Sequence, residues 1–255
     1  MPKEYCYTDE INDDFAGVNK RRIQIDKNFN FANKNIFWKT AAFIVYRLFM
    51  TPFAAIFCKI KFGVRFKNKE VLNQYKKKGF FIYGNHTQIP ADAFFPNMFL
   101  FPKKAYFIVH PDNIATRGTK NIMQMLGAIP IPTSISAMRP FYNAIEKRVN
   151  ENAAVVVFPE AHIWPYYTKI RQFASVSFKY PVKLNTPVFC FTTTYRKRKF
   201  FKRPGITIYL DGPFYFPKEI SEKQREQYLR NEVFKTMSKR AEKNEIEYIK
   251  YIKRS

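Results

Sequence analysis

A histidine and an aspartate follow an apolar run of the sequence and lie six residues apart. The run 79–84 (GFFIYG) predicts a buried strand, and His86 and Asp92 come after its end. A neighbouring carboxylate can fix the tautomer of an imidazole and stabilise its charged form. Such a pair can therefore act as a general base that takes a proton from an alcohol. The structural alternative is an aspartate that caps a helix beside a hydrogen-bonded loop histidine.

The two other histidines of the chain also follow apolar runs. His110 comes after 105–109, and His162 comes after 153–158 with Glu160 just before it. In open α/β sheets, ligands bind beyond the carboxyl ends of the strands. If these strands are parallel neighbours, two histidines and two carboxylates converge on one rim of the sheet.

Other catalytic motifs are missing from the sequence. The chain lacks the GxSxG nucleophile elbow, the GxxxxGK[ST] phosphate loop, the GxGxxG dinucleotide fingerprint and the HExxH zinc motif. The three histidines, Asp92 and Glu160 are usable metal ligands, but their spacing matches no recognised metal site. We therefore expect no metal, and a metal-dependent hydrolase stays a competing hypothesis.

The chain is strongly basic, with a formal net charge of +24. Much of this charge lies in 59–69, 76–78 and 196–203. Nucleic acid, an anionic membrane surface, an acidic protein and a phosphorylated substrate are all partners that suit such a charge. The aromatic residues lie mostly in apolar runs rather than interleaved with arginine in a recognised motif. We expect no nucleic-acid partner, and a basic nucleic-acid-binding protein is the second competing hypothesis.

The longest apolar window covers residues 36–60 and is interrupted by Lys39, Arg47 and Pro52. Its length approaches that of a membrane span, and its aromatic residues and the basic segment after it suit the headgroup boundary. We predict a helix, a bend at Thr51-Pro52 and a second helix, which together form a membrane-interfacial hairpin over 36–62. The alternative is a pair of ordinary core helices.

Short apolar runs alternate with helical patterns in the rest of the chain. The predicted strands are 79–84, 105–110, 128–131, 153–158, 187–192 and 206–210, and the predicted helices are 92–100, 121–126 and 141–150. This alternation is typical of an α/β fold with a largely parallel mixed sheet flanked by helices. We expect one α/β domain over 63–255 that ends in an amphipathic helix. The polar segment 1–35 shows no secretory signal, which predicts a cytoplasmic address.

Four short blocks, taken together, resemble a known family. They are Asn85-His86 with Asp92, then 127–131 (GAIPI), 158–160 (FPE) and 186–188 (TPV), in the order and rough spacing of the glycerolipid acyltransferases. The chain is identified as similar to the lysophospholipid (glycerolipid) acyltransferase superfamily, and it resembles the bacterial 1-acylglycerol-3-phosphate acyltransferases. The resemblance covers about 36–235.

The resemblance implies a reaction and its partners. His86 would take the proton from the hydroxyl of a lysophospholipid, which attacks an acyl thioester, while Asp92 orients and supports the imidazolium. The donor would be acyl-CoA or an acidic acyl-carrier protein, with no cofactor. The acceptor favoured by the resemblance is 1-acylglycerol-3-phosphate, with other lysolipids or glycerol phosphate as alternatives. The enzyme would serve phospholipid biosynthesis, held peripherally or monotopically on an anionic membrane surface at the cytoplasmic face.

The chain departs from the family pattern at three places. Five residues rather than four separate the histidine from the aspartate, the third block reads FPEAHI instead of FPEGTR, and the second block ends without arginine. Because the family arginines are thought to hold the phosphate of the acceptor, other cations must replace them. The candidate substrate-binding residues are Asn85, Thr87, Glu160, His162, Lys169, Arg171 and Arg139. Among them, Thr87 and nearby backbone amides are candidates for an oxyanion site, and Glu160 for holding the acceptor or a loop.

Overall fold

Nine strands and six helices make up the part of the chain that the computed structural model describes, residues 3–15, 17, 23–115 and 118–254. The strands are β1 Lys3–Tyr7, β2 Arg65–Lys67, β3 Phe80–Gly84, β4 Ala105–Val109, β5 Ala128–Pro130, β6 Ala154–Val157, β7 Val188–Arg196, β8 Gly205–Phe214 and β9 Ile249–Lys253. The helices are α1 Ile36–Phe62, α2 Phe95–Phe99, α3 Lys120–Met125, α4 Met138–Asn150, α5 Lys179–Leu184 and α6 Glu222–Ala241.

Seven of the strands form one mixed sheet in the order β2-β8-β7-β3-β6-β4-β5. Every neighbouring pair is parallel except β7 and β8, which are antiparallel. β3 is central, and all five of its residues are buried. This explains its unbroken apolar sequence, because a strand covered on both faces needs apolar side chains on both.

Helices cover the two faces of the sheet and produce two apolar cores. On one face, Phe81 and Tyr83 of β3 pack in a cluster with residues of α4, α5 and α6. On the other face, Phe80 and Ile82 pack with α2 and with the end of α1. The predicted α/β class with a largely parallel mixed sheet is confirmed.

The described residues of the N-terminal segment pack against the rest of the domain, which their polar composition did not predict. β1 pairs in parallel with β9, which places the two ends of the described chain side by side. Ile25, Phe29 and Phe31 are buried in the larger core cluster. We did not predict β1, β2 or β9, because each is short and contains two charged residues.

The structure corrects the predicted hairpin, because residues 36–62 form one continuous helix of 27 residues. A π-helical turn spans Val45–Met50, and the amide of Thr51 donates to the carbonyl of Tyr46, five residues earlier. Proline lacks an amide hydrogen and its ring normally clashes with the preceding turn. The wider π turn gives Pro52 room, so the chain continues as a helix instead of bending back.

One side of α1 is fixed to the domain and the other is exposed. The hydroxyl of Tyr46 donates to Asn97 Oδ1 and accepts from the amide of Ala105 at 3.0 Å, while Arg47 donates to the carbonyl of Pro102. By length and composition α1 would suffice to cross a membrane. Its large exposed apolar side chains are Ile36, Phe37, Phe43, Ile44, Leu48, Phe49, Phe53, Ile56 and Ile60.

Replacing Tyr46 with Phe should loosen α1 from the domain. The change leaves the side-chain oxygen of Asn97 and the amide of Ala105 without their partner in a buried site. We expect the free energy of unfolding to fall by about 1–3 kcal/mol in urea denaturation. Leu48→Ala on the exposed side of the same helix is the matched control and should stay within about 0.5 kcal/mol of the wild type. Equal stability of the two variants would contradict this role of Tyr46.

Candidate active site

The side chains of His86 and Asp92 meet just beyond the carboxyl end of β3. Nδ1 of His86 lies 2.9 Å from Oδ2 of Asp92, and the same oxygen accepts from the amides of Thr87 and Gln88, each at 2.7 Å. The extra residue between the two groups therefore does not separate them. The aspartate also closes its own loop, because its amide donates to the carbonyl of Gln88. The pairing alternative is therefore the one observed, because the short helical turn Ala91–Ala93 begins after Pro90 without a side-chain cap.

The second ring nitrogen of His86 is free to act as a base. Because Nδ1 faces the carboxylate, the neutral ring carries its proton there, which leaves the lone pair on Nε2. No residue in the described part of the chain hydrogen-bonds Nε2. The ring stacks on Phe158 with a centroid distance of 4.3 Å, and 18% of the side chain is exposed. The imidazole is thus held in one orientation and is still accessible.

Glu160 joins the loop after β6 to the loop that carries His86. Its Oε2 accepts from the amide of His86 at 3.2 Å, and its Oε1 accepts from the amide of Arg171 at 3.0 Å. Burial raises the pKa of Glu160, while the Arg171 guanidinium at 3.7 Å and the backbone amides oppose this shift. We predicted that Glu160 holds either the acceptor or a loop, and this geometry fits the second role.

Asn85 and Thr87 have buried side chains that contact protein rather than open space. Asn85 exchanges two hydrogen bonds with the backbone of Thr193 on β7, at 3.1 and 2.8 Å. The hydroxyl of Tyr195 donates to Oγ1 of Thr87 at 2.7 Å. Since the amides of Thr87 and Gln88 donate to Asp92, the predicted oxyanion donors are already engaged in this structure. Asn85 and Thr87 precede and follow His86 in the sequence, so their buried contacts fix the position of His86.

The four remaining predicted substrate-binding residues lie in three different settings. Arg171 is buried, and its guanidinium donates to the carbonyls of Glu10, Glu160 and His162, so it holds the loop and does not face a ligand. His162 lies 3.5 Å from Asp14. Lys169 is exposed, two residues before Arg171.

Arg139 makes no hydrogen bond or ion pair with the site residues within the described part of the chain. It is exposed at the start of α4, which follows β5 at the edge of the sheet. Three inter-strand spacings, roughly 15 Å, separate β5 from β3. The third histidine, His110, is also exposed and pairs with Asp112, and neither residue joins the His86 site.

Tyr195 is a site residue that we did not predict from the sequence. Its hydroxyl donates to Thr87 and accepts from the side chain of Gln88 at 3.0 Å, and burial raises its pKa well above the ordinary value. The contact joins residues 108 positions apart. No local pattern signals it, because it depends on β7 lying beside β3 in the sheet.

The first residues of the chain close the loop that contains Glu160. The carbonyl of Asp13 accepts from the indole of Trp164 at 2.7 Å, and the amide of Phe15 donates to the carbonyl of Ile163. The amide of Trp164 in turn donates to the carbonyl of His86 at 3.2 Å. Asp13 and Phe15, which follow β1, therefore support the loop that contains Glu160. Within the described residues, no three His, Cys, Asp or Glu side chains cluster closely enough to hold a metal ion.

The fold and site together define an α/β protein with an oriented, accessible histidine base at the rim of a mixed sheet. The chain matches the model of the acyltransferase family over residues 63–193, about half of its length, which includes His86, Asp92 and Glu160. The chain therefore belongs to the acyltransferase family, and the predicted resemblance is confirmed.

A solved structure supports the same fold. The crystal structure of the 1-acyl-sn-glycerophosphate acyltransferase PlsC from Thermotoga maritima is similar over 81% of this chain and 86% of that chain, with a TM-score of 0.56. The two sequences are 17% identical over the match. No curated protein sequence is significantly similar to the chain.

Replacing Arg171 with Gln should destabilise the fold. The variant leaves the buried carboxylate of Glu160 without its cation, which costs about 3–5 kcal/mol in comparable buried pairs. We expect this loss in urea denaturation, whereas Lys169→Gln, an exposed cation of the same loop, should change stability by less than about 0.5 kcal/mol. If the two variants unfold at the same urea concentration, Arg171 does not hold this loop.

The stability loss of the Arg171→Gln variant should depend on pH. Burial already raises the pKa of Glu160 above its ordinary value of 4.5, and loss of the guanidinium should raise it further. A carboxyl group with a raised pKa favours folding while protonated and loses this contribution as the pH rises. The stability difference from wild type should therefore grow as the pH increases above 4.5, measured by urea denaturation across a pH series.

Proposed function

We propose that this protein is an O-acyltransferase that moves a fatty acyl group from a thioester donor to the hydroxyl of a lysophospholipid. The observation that carries the proposal is the His86–Asp92 pair, with its partly exposed imidazole, within the segment matched by the acyltransferase family. The proposed acceptor is 1-acylglycerol-3-phosphate, because the similar Thermotoga maritima protein is a 1-acyl-sn-glycerophosphate acyltransferase. Another lysolipid or glycerol phosphate is the alternative acceptor.

The proposed reaction has two proton transfers, both through His86. Nε2 takes the proton from the acceptor hydroxyl as its oxygen attacks the thioester carbonyl and forms a tetrahedral intermediate. The intermediate then expels the thiolate, which takes the proton from the imidazolium and leaves as a thiol. Asp92 stabilises the imidazolium between these steps and keeps the ring in place. The donor is acyl-CoA or an acyl-carrier protein, and the step needs no cofactor.

The exposed side of α1 suits the lipid acceptor. A lysolipid and an acyl chain both partition into bilayers, so an enzyme held at the interface meets its substrates there. Residues such as Tyr46 fix the inner side of α1 to the domain, which favours a helix lying in one leaflet over a free span. We place the protein at the cytoplasmic face of the membrane, in phospholipid biosynthesis.

His86→Ala should abolish most acyl transfer while the protein stays folded. General-base help of this kind contributes roughly 10²–10⁴ in rate. The assay crosses several lysolipid and glycerol-phosphate acceptors with acyl-CoA and acyl-carrier donors. His110→Ala, an exposed histidine outside the site, is the matched control and should keep full activity. If His86→Ala turns over at a rate near that of the wild type, the proposal is wrong.

Lys169 and Arg139 can be compared as cations for the phosphate of the acceptor. Lys169 belongs to the loop that Glu160 joins to His86, whereas Arg139 begins the helix that follows the edge strand β5. Loss of a charge-assisted hydrogen bond costs about 1.5–3 kcal/mol, so Lys169→Gln should raise the KM for a phosphate-bearing acceptor roughly ten-fold or more. Arg139→Gln should leave KM and kcat unchanged. If Arg139→Gln raises the KM and Lys169→Gln does not, the phosphate of the acceptor binds at Arg139 instead.

A further inference from the structure

A basic cleft opens beside the carboxyl-terminal end of α1, outside the His86 site. Its volume is about 660 Å³, and it lies between that helix end and the connection from β7 to β8. We name it the β7–β8 cleft. Its lining residues are six cations, one carboxylate, two phenylalanines and two small residues, namely Lys59, Arg65, Arg196, Lys197, Arg198, Lys199, Glu245, Phe200, Phe201, Gly63 and Val64.

Two arginines of the cleft are fixed by the end of α1. Arg196 donates to the carbonyl of Gly63, and Arg198 donates to the carbonyl of Lys61 at 3.0 Å. These carbonyls belong to the negative end of the helix dipole, which favours cations there. Nε of Arg196 is buried and has no hydrogen-bond partner within the described residues. The guanidinium groups are thus positioned before any ligand binds.

The positive charge of the cleft is not compensated by the protein. Glu245 is the one carboxylate among its described lining residues, and its Oε2 already accepts from the amide of Lys197 at 3.1 Å. Burial lowers the pKa of Arg196, and repulsion by Arg65 and Arg198 lowers it further. Crowded cations of this kind are stabilised by a bound anion, and guanidinium groups suit phosphate oxygens in particular.

The apolar residues beside the cleft indicate where the phosphate comes from. Phe200 is 82% exposed and Phe201 58% exposed, with the guanidinium of Arg198 3.6 Å from the ring centroid of Phe201. Ile60 follows the cleft residue Lys59 directly and Ile56 lies three residues before it, and both are on the exposed side of α1. Exposed aromatic and aliphatic side chains among cations are typical of the boundary between lipid headgroups and acyl chains.

We propose that the β7–β8 cleft binds the phosphate of an anionic phospholipid headgroup, with Phe200 and Phe201 entering the acyl boundary. It forms a second membrane contact beside α1. The cleft begins one residue after Tyr195, whose hydroxyl contacts Thr87 next to His86, so lipid bound there lies on the same end of the sheet as the proposed active site. The inference concerns membrane binding and does not depend on acyl transfer.

Vesicle co-sedimentation of the full chain tests this proposal without any turnover. The probe is neutral phosphatidylcholine vesicles, compared with the same vesicles containing an anionic phospholipid. Lys197 and Lys199 are exposed and make no side-chain hydrogen bond within the described residues, so Lys197→Gln/Lys199→Gln should fold normally. Each cation near an anionic surface contributes about five-fold in affinity, so the double variant should bind anionic vesicles roughly 25-fold more weakly. Its binding to neutral vesicles should be unchanged.

The matched control removes two exposed lysines that follow the end of β8 remote from the cleft. Lys218→Gln/Lys223→Gln lies beyond the far end of β8, and it should lose less than about three-fold in affinity. A third variant, Phe200→Ser, should weaken binding to both kinds of vesicle. Equal losses of affinity for anionic vesicles in the two lysine double variants would mean that the attraction is diffuse, and would overturn the proposed site.

The competing occupant of the cleft is a soluble phosphate compound. Calorimetric titration of the vesicle-free protein with coenzyme A tests it directly. If the wild type binds coenzyme A, and Lys197→Gln/Lys199→Gln abolishes this binding but keeps its vesicle affinity, the cleft binds the soluble ligand. This result would overturn the lipid proposal. The lipid proposal is supported if the double variant loses vesicle affinity and the wild type does not bind coenzyme A.

Discussion

A single carboxylate oxygen, Oδ2 of Asp92, accepts from two backbone amides and faces the imidazole of His86. A buried carboxylate is costly unless hydrogen bonds compensate for lost water. Here the compensation comes from the amides of Thr87 and Gln88, and these same bonds fix the loop that carries the histidine. The requirement to satisfy one buried charge thus sets both the loop conformation and the direction of Nε2. This explains how five intervening residues can still bring the two side chains into contact.

The neighbours of β3 complete this arrangement from both sides. β6 is followed directly by Phe158, which stacks on the imidazole, and then by Glu160, which accepts from the amide of His86. β7 supplies Thr193 and Tyr195, which hold Asn85 and Thr87. Polar side chains that could have met a substrate instead bond to the protein, and this rigidity is what a general base needs in order to keep one orientation.

The cations of the chain separate into distinct structural roles. Arg171 is buried and stabilises the Glu160 loop through backbone carbonyls, whereas Lys169 in the same loop is exposed. The arginines at the end of β7 hold the end of α1 and line the β7–β8 cleft. A net charge of +24 therefore does not describe one uniform surface. Burial decides which cations stabilise the fold and which are accessible to phosphate groups.

The sequence alone determined the α/β class, most of the buried strands and the pairing of His86 with Asp92. These follow from local patterns, since a strand buried on both faces is continuously apolar and its exit carries polar residues. Tertiary structure decided the β1–β9 pair, the contact of Tyr195 with Thr87 and the burial of Arg171. Each joins segments that are distant in the sequence or depends on the strand order, which no local pattern specifies. The continuous helix through Pro52 also escaped prediction, because a π turn, and not the residue type, made room for the proline ring.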